Sequence, residues 1–188
     1  MPSPAPAICA EPLPYATRLA ARPREAIDLA VIHCTELPDL GSAREYGERL
    51  RYPQSNTGDS GHFYIDRDGT LYQWVPLEHV AHHTRGYNAR SVGIELVNRG
   101  RFPNWLDSRH QAMDEPYTDA QIEALVVLLR WLRVELPALR KVAGHEDLDR
   151  EEVPASDDPS LNVRRKRDPG ALFPWTRVLE AVGLERLI

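Results

Sequence analysis

The chain has few of the features that mark membrane, nucleic-acid-binding or disulfide-bonded proteins. None of its apolar runs approaches the roughly 18 consecutive residues that a membrane-spanning helix needs. Its formal net charge is −5, whereas a dedicated nucleic-acid binder needs a cationic surface. It has two cysteines, Cys9 and Cys34, which we expect to be reduced thiols, although the sequence leaves a disulfide between them open. We therefore expect neither a membrane span nor a nucleic-acid partner.

The amino-terminal stretch also lacks a basic region followed by an apolar region. It does not resemble a secretory signal, so we expect a cytoplasmic protein. Residues 1–24 hold five prolines before residue 15 and show no apolar periodicity. That composition predicts a Pro-rich arm, either flexible or draped over the surface. Residues 25–188 then suit a single domain, since domains typically run to roughly 100–200 residues.

Strand and helix patterns alternate along residues 25–188 and predict an α/β fold. Residues 27–32 form a nearly continuous, β-branched apolar run, typical of a central strand buried on both faces. Residues 62–66 and 70–75 flank an Asp-Gly pair, which predicts a hairpin. Residues 91–97 alternate between apolar and other side chains, which predicts a further strand that carries Glu95.

Helix-capping residues and the spacing of apolar residues predict further elements. A Thr-x-x-Gln capping box at Thr118 predicts a long helix that runs to about Glu135. The sequence also predicts a short helix over 42–50, a brief strand over 141–144 and a closing helix over 175–182. Residues 99–117 and 147–163 have no clear periodicity, so we expect loops there, the first as a wall or lid of a site.

The basic run at residues 164–167 stands directly before Asp168. Such a run usually forms a solvated face or a binding patch. In an extended segment, however, residues i and i+2 point the same way, so Lys166 and Asp168 would share one face. Arg165 and Arg167 would then point away from it, solvated or ion-paired. One ammonium group and one carboxylate directed into one site would suit a metal-dependent hydrolase, provided that other ligands are available.

Two of the seven histidines lie where such ligands are expected. His33 and His145 each end an apolar strand, where a side chain can reach a cleft at the edge of a sheet. Together with Asp168 they offer two imidazoles and a carboxylate, which matches the three protein ligands of a catalytic zinc site. A single histidine elsewhere is more often a structural or surface residue.

Several short motifs occur in one order along the chain: Val31 to Thr35, Gly61 to Gly69, Ala81 to His83, Asn88, Ser91 to Leu96, Gly144-His145 and Lys166 to Gly170. Over about residues 27–177, this set resembles the type 2 N-acetylmuramoyl-L-alanine amidases, relatives of peptidoglycan recognition proteins and amidase-type phage lysozymes. The resemblance implies a central mixed β-sheet flanked by helices, with a zinc site in a groove on one face. It also implies cleavage of the amide between N-acetylmuramic acid, or its anhydro form, and L-alanine of the stem peptide.

The same resemblance implies roles for individual residues. The positions of the zinc ligands are taken by His33, His145 and Asp168. Glu95 matches the acid that acts on the metal-bound water, and Lys166 matches the cation near the carbonyl oxygen. A block on the substrate side of the groove is matched by His83, Tyr87 and Asn88.

The chain departs from the family pattern in three places. The segment between His145 and Lys166 is longer than usual and is rich in acids. Gly61 stands where phage relatives have a tyrosine, so no tyrosine role transfers. Asp168 stands where phage relatives use a cysteine ligand.

Other functions remain open at this point. A recognition module would bind muropeptides without cutting them, but non-catalytic relatives typically lack a metal ligand. A nucleic-acid binder that used residues 164–167 would show steeply salt-dependent affinity. The sequence does not decide between intact peptidoglycan, linear muropeptides and the anhydro fragments of recycling, and it does not indicate an oligomeric state.

Overall fold

A seven-stranded sheet forms the centre of the protein. The computed structural model describes residues 5–188. In that range the strands are β1 (Cys9–Ala10), β2 (Leu29–Cys34), β3 (Phe63–Ile65), β4 (Leu71–Gln73), β5 (Ser91–Leu96), β6 (Lys141–Gly144), β7 (Glu152–Pro154), β8 (Asn162–Arg164) and β9 (Glu185–Arg186). The large sheet has the order β1-β4-β3-β5-β2-β6-β9, while β7 and β8 form a separate hairpin. Within the described chain, β3 and β4 pair antiparallel and the other pairs of the large sheet are parallel, which confirms the predicted mixed sheet.

Among the described residues, four α-helices accompany the sheet: α1 (Leu40–Glu48), α2 (Asp119–Glu135), α3 (His145–Leu148) and α4 (Trp175–Val182). The predicted capping box begins α2, since Thr118 Oγ1 accepts from Gln121 N and Gln121 Oε1 accepts from Thr118 N. The apolar face of α2 is buried in the main core with residues of α4, including Val178. The predicted long helix and closing helix are confirmed.

The central strand β2 determines where the site lies. All six of its residues are buried, as the continuous apolar run predicts. β2 pairs in parallel with β5 on one side and β6 on the other, and this register sets His33 beside Glu95 and Ile32 beside Gly144. Because the carboxyl ends of these parallel strands meet at one edge, the side chains of His33, Glu95 and His145 share that edge.

The amino-terminal segment differs from the surface arm that its composition predicts. β1 adds to the edge of the sheet beside β4, and Leu13, Tyr15 and Leu19 are buried in a cluster that includes Trp74. The Tyr15 hydroxyl donates to the Gly47 carbonyl at 2.6 Å. These apolar residues follow neither a helical nor a strand period, which is why the pattern does not reveal them. The part of the prediction that concerns residues 1–4 lies outside the described residues.

The second predicted loop, residues 147–163, also differs, because most of the β7–β8 hairpin, which runs from Glu152 to Arg164, falls within it. Pro154 ends β7, a position where the missing N–H of proline is tolerated. The hairpin contacts the irregular segment 99–117, since Ser156 N donates to the Leu106 carbonyl and Asp157 accepts from Ser108. The two segments therefore form one continuous wall.

Two sequence-based expectations concern membranes and thiols. Across residues 5–188, none of the helices combines the length and the apolar character that crossing a bilayer requires. Over the same residues, Cys9 is exposed, Cys34 is buried, and both are free thiols.

A buried arginine connects the amino-terminal segment to the rest of the domain. Arg22 is 7% exposed, and its guanidinium donates to the carbonyls of Leu77 at 3.0 Å, Asn88 at 2.8 Å and Ser91 at 2.7 Å. We expect Arg22→Ala to lower the free energy of unfolding by about 3 kcal/mol, because two buried carbonyl oxygens and one partly buried carbonyl oxygen lose their donor. Urea unfolding followed by circular dichroism measures this difference.

Arg18→Ala is the matched control. Arg18 belongs to the same segment, and its hydrogen bond to the Asn56 carbonyl is exposed. The control should change the free energy of unfolding by less than about 1 kcal/mol. Equal losses from the two substitutions would contradict the role assigned to Arg22.

Candidate metal centre and groove

Two imidazoles and one carboxylate meet at the carboxyl edge of the sheet. The potential ligand atoms of His33, His145 and Asp168 all lie within 4.8 Å of one another, and the three residues are at most 3% exposed. Asp168 Oδ2 lies 2.9 Å from His33 Nδ1 and 3.2 Å from His145 Nδ1. Donors around a tetrahedral zinc ion at its usual bond lengths are about 3.3 Å apart, so these separations fit such a centre.

Each of the three residues is positioned by a different element. His33 belongs to β2, His145 begins α3 directly after β6, and Asp168 follows the β7–β8 hairpin. The Asp168 carbonyl accepts a hydrogen bond from Glu146 N at 2.9 Å, which joins the segment after the hairpin to the start of α3. The candidate centre therefore depends on long-range packing.

Unpaired polar atoms in the cluster agree with a metal-binding role. Among the residues that the structure describes, His145 Nε2 and Asp168 Oδ1 are buried and have no hydrogen-bond partner. Buried polar atoms are normally paired, and exceptions mark functional sites or sites that hold an ion. The donor set of two imidazoles and a carboxylate fits zinc.

Burial and charge set the protonation of the cluster. Burial lowers the pKa of His33 to about 4, so its ring is neutral and one nitrogen keeps a lone pair. Burial alone would raise the pKa of Asp168, but its favourable electrostatic interactions and hydrogen bonds with His145 and His33 outweigh that effect and hold the pKa well below its usual range. A neutral imidazole beside an ionised carboxylate is the form in which these groups bind a metal.

Glu95 stands beside this cluster. Its Oε1 lies 4.0 Å from His33 Nδ1, and its side chain is 14% exposed. Burial raises the pKa of Glu95 to about 8, the negative charge of Asp168 adds to the shift, and Lys166 opposes it. A carboxyl group with a pKa near neutral can accept a proton and return it, which is what general acid–base chemistry requires.

The space for Glu95 exists because residue 61 has no side chain. A Cβ at Gly61 would lie 2.8 Å from Glu95 Cγ, closer than atoms in van der Waals contact. Tyr64 pairs with Glu95 in the register of β3 and β5, and its hydroxyl accepts from Gly61 N at 3.0 Å. Gly61 therefore fits this chain in a way that a tyrosine at the same position would not.

Lys166 lies at the same edge, half-buried, and lines the groove together with Asp168. The predicted alternation holds for these two residues but not for Arg165, which also lines the groove. β8 ends at Arg164, so the strict two-residue period stops before Arg165. Arg165 forms ion pairs with Asp149 and Glu151.

The groove that contains these groups has a volume of about 850 Å³. The cluster of His33, His145 and Asp168 forms its floor. Aromatic side chains and arginines contribute to its walls, namely Tyr46, Tyr52, Phe102, Trp105, Arg49, Arg51, Arg85 and Arg165. Pockets of roughly 300–1,000 Å³ suit small-molecule ligands, so the groove has room for one.

The three residues expected on the substrate side occupy different places. His83 and Asn88 line the groove, but Asn88 Oδ1 accepts from the backbone N–H groups of His83 at 3.0 Å and Thr84 at 2.7 Å. Tyr87 instead packs, partly buried, against the small core cluster that contains Leu29. Burial lowers the pKa of His83 well below its usual range, and its electrostatic interactions with the neighbouring histidines and with Arg22 lower it further, so its ring is neutral. The side chains of His83, Tyr87 and Asn88 are thus engaged mainly in contacts within the protein.

A buried ion pair that sequence reasoning missed supports the wall of the groove. Arg101 donates to Glu36 through Nε at 2.7 Å and through Nη2 at 2.9 Å, and its side chain is 1% exposed. The same guanidinium donates to the carbonyls of Arg164 at 2.9 Å and Arg165 at 3.2 Å. Arg101 therefore joins the segment after β2 to the segment that carries Lys166. No local pattern indicates a pair 65 positions apart.

Known proteins of one family are similar to this chain. A family model described as N-acetylmuramoyl-L-alanine amidase matches residues 23–171. The chain belongs to this family. The resemblance seen in the sequence is thereby confirmed.

Similar curated proteins include bacterial amidases and a phage endolysin. N-acetylmuramoyl-L-alanine amidase AmiD of Escherichia coli is 32% identical over 118 residues, which are 58% of this chain and 37% of AmiD. The 1,6-anhydro-N-acetylmuramyl-L-alanine amidase AmpD of Enterobacter cloacae is 33% identical over 122 residues, which are 60% of this chain and 51% of AmpD. The endolysin of phage T7 is 28% identical, over 79% of this chain and 90% of the endolysin. The match thus spans about a third to a half of the two bacterial amidases.

Solved structures agree with the fold. AmiD from E. coli, in complex with anhydro-N-acetylmuramic acid-L-Ala-D-gamma-Glu-L-Lys, matches with a TM-score of 0.63 and 26% identity, over 88% of this chain and 60% of that chain. The amidase LysC from Clostridium intestinale has a TM-score of 0.69 at 23% identity, over 96% of this chain and all of that chain.

We expect Arg101→Met to lower the free energy of unfolding by about 3–5 kcal/mol, because it leaves the Glu36 carboxylate buried without its partner. Denaturant unfolding measures the loss. The double variant Glu36→Gln/Arg101→Met should be more stable than Arg101→Met, since no unpaired charge then remains. A double variant as unstable as the sum of the two single variants would show that the ion pair is not the cause.

Proposed function

We propose that the protein is a zinc-dependent amidase that acts on peptidoglycan or muropeptides. It hydrolyses the amide between N-acetylmuramic acid, or its anhydro form, and L-alanine of the stem peptide. The observation that carries the proposal is the buried convergence of His33, His145 and Asp168 within 4.8 Å at the floor of the groove, with Glu95 beside it. Membership of the amidase family supports the reaction class.

His33, His145 and Asp168 would hold the zinc ion. When bound, zinc supplies a Lewis acid that makes water nucleophilic near neutral pH. Glu95 takes a proton from the attacking water and passes it to the nitrogen of L-alanine as the C–N bond breaks. The Lys166 ammonium stabilises the negative charge that develops on the carbonyl oxygen. The products are a lactyl carboxylate on the sugar and a free amine on the stem peptide.

A muropeptide-binding module is the competing function. Such a module needs the groove but has no use for a buried carboxyl group whose pKa is raised to about 8. Such a module also does not need the three potential metal ligands His33, His145 and Asp168 to converge. These two features favour catalysis over binding alone.

For the substrate, a muropeptide fits the size of the groove. The groove has a volume of about 850 Å³, which lies in the range of ligand pockets. The similar AmiD structure contains an anhydromuramyl peptide, which supports the same class of substrate for this chain. Endolysins are also similar, so intact peptidoglycan stays a second substrate in the proposal. A cytoplasmic location stays a prediction.

Substitutions at Asp168 and Glu95 should separate metal binding from catalysis. We expect Asp168→Ala to lose both zinc and activity, because it removes one of three protein ligands. Glu95→Gln should keep about one zinc per chain and lose activity by about 10²-fold or more, because the amide cannot accept the proton. Elemental analysis gives the zinc content, and mass spectrometry measures stem-peptide release from anhydro-muropeptides and from intact sacculi.

The exposed His110→Ala serves as the control and should keep both zinc and activity. Chelation of zinc should abolish stem-peptide release by the wild-type protein, and added zinc should restore it. If the zinc-replete wild type releases no stem peptide from either substrate, the enzyme hypothesis is wrong and the binding module is favoured.

A methyl group at residue 61 should displace Glu95 without touching the zinc ligands. We expect Gly61→Ala to retain zinc and to lower kcat by about 10²-fold, because displacement of a catalytic group by about 1 Å has that effect. Gly41→Ala is the control, since the nearest atom of the described chain to a methyl there is Asp39 Oδ1, at 3.4 Å. Steady-state kinetics together with zinc analysis test the expectation, and unchanged kcat in Gly61→Ala would exclude steric positioning of Glu95.

A further inference from the structure

His83 lies behind the candidate metal centre and contacts one of its ligands. Its Nδ1 is 3.0 Å from His33 Nε2, on the opposite side of the His33 ring from Asp168. Its Nε2 is 3.2 Å from Ser91 Oγ. Both ring nitrogens are therefore engaged inside the protein, which leaves neither directed at a substrate.

The His83 ring has a fixed orientation. It packs so closely on Gly93 that a Cβ there would lie 2.6 Å from His83 Cγ. The backbone N–H of His83 donates to Asn88 Oδ1. Arg22 in turn donates to the carbonyls of Asn88 and Ser91. The ring therefore has one position in which it meets His33.

The contacts define which nitrogen of each neutral ring carries the proton. If His33 binds a metal through Nδ1, its proton is on Nε2, because a neutral imidazole has one donor and one acceptor. His33 Nε2–H then donates either to His83 Nδ1, 3.0 Å away, or to Thr84 Oγ1, which lies 3.3 Å from His33 Nε2 and 3.0 Å from His83 Nδ1. In the second case the Thr84 hydroxyl donates to His83 Nδ1, so by either route His83 Nδ1 accepts and His83 carries its own proton on Nε2. That N–H donates to Ser91 Oγ, and the Ser91 hydroxyl donates to the Tyr87 carbonyl at 2.8 Å. Every donor in this series of hydrogen bonds, from His33 to the Tyr87 carbonyl, therefore has an acceptor.

The opposite arrangement would block the ligand. If His83 carried its proton on Nδ1, that N–H would donate to His33 Nε2 directly or to Thr84 Oγ1, whose hydroxyl would then donate to His33 Nε2. In both cases His33 Nε2 accepts, and the His33 proton moves to Nδ1. That proton would then point at Asp168 Oδ2, 2.9 Å away, where the metal is expected. The tautomer of His83 thus decides whether His33 presents a lone pair or a proton to the centre.

We propose that His83 is a positioning residue that holds His33 in the tautomer that binds the metal, through a hydrogen-bonded chain that ends at the Tyr87 carbonyl. The inference rests on the proposed zinc site and replaces the substrate-side role that the resemblance implies for His83. Partners of this kind fix the orientation and basicity of a histidine ligand, and their loss typically weakens metal binding by about 10–100-fold.

Zinc affinity, measured by competition with a chromophoric chelator, tests the proposal without reference to activity. We expect His83→Ala to weaken zinc binding by about 10–100-fold. His83→Asn should recover most of the loss, since its side-chain oxygen lies near the position of Nδ1 and can accept. His82→Ala is the matched control, because His82 is the neighbouring histidine in the same groove and Nδ1 of His82 has no partner among residues 5–188.

Nitrogen-15 NMR of the zinc-loaded, histidine-labelled protein gives a second readout. We expect the wild type to show both His33 and His83 protonated at Nε2. Ser91→Ala keeps His83 but removes the acceptor of its Nε2–H, so zinc affinity should fall by a smaller factor, about several-fold. Ser91→Ala tests the series of hydrogen bonds from His33 to Tyr87 even if His83→Ala does not fold.

Wild-type zinc affinity in His83→Ala and Ser91→Ala would overturn the proposal, even if the unfolding midpoint fell. A proton on His83 Nδ1 in the zinc-loaded protein would also overturn it. Failure of the proposed function looks different, because the wild-type protein itself would then bind no zinc or release no stem peptide.

Discussion

The contact between the Asp168 carboxylate and the imidazoles of His33 and His145 is the constraint on which the site depends. An ionised carboxylate taken out of water is strongly unfavourable unless it meets compensating donors or a metal. The sheet register brings the two imidazoles to one edge, and the segment after the hairpin must deliver the carboxylate to the same point. Much of the remaining structure holds these three pieces in place.

Two arginines contribute most to that support, and they act from opposite sides. Arg101 joins the segment after β2 to the carbonyls just before Lys166. Arg22 reaches the carbonyls that flank the turn before β5. Each cation lies in the interior and donates to backbone oxygens of segments distant in sequence, so each couples the site to parts of the chain that carry no reactive group. Folding and site formation are therefore strongly connected.

The elements with a local signal were predicted correctly from the sequence. The apolar run of β2, the Asp-Gly turn between β3 and β4, and the capping box of α2 each depend on a few neighbouring residues. The packing of the amino-terminal segment was not predicted, because the burial of Leu13 and Tyr15 follows from tertiary contacts rather than from a helical or strand periodicity in the sequence. The β7–β8 hairpin has only three residue pairs and two nearby prolines, so its pattern resembles a loop. The strand-end rule found His33 and His145, whereas the contact of His83 with His33 depends on a turn whose path no local pattern describes.

Two glycines determine the shape of the site as much as its reactive side chains do. The hydrogen atom at Gly61 leaves the space for Glu95, and the one at Gly93 leaves the space for the His83 ring. Neither residue has a side chain that could act as an acid, a base or a metal ligand. The absence of a Cβ atom at these two positions therefore determines the shape of the groove floor. A single methyl group at either position would change its geometry while every reactive group remained present.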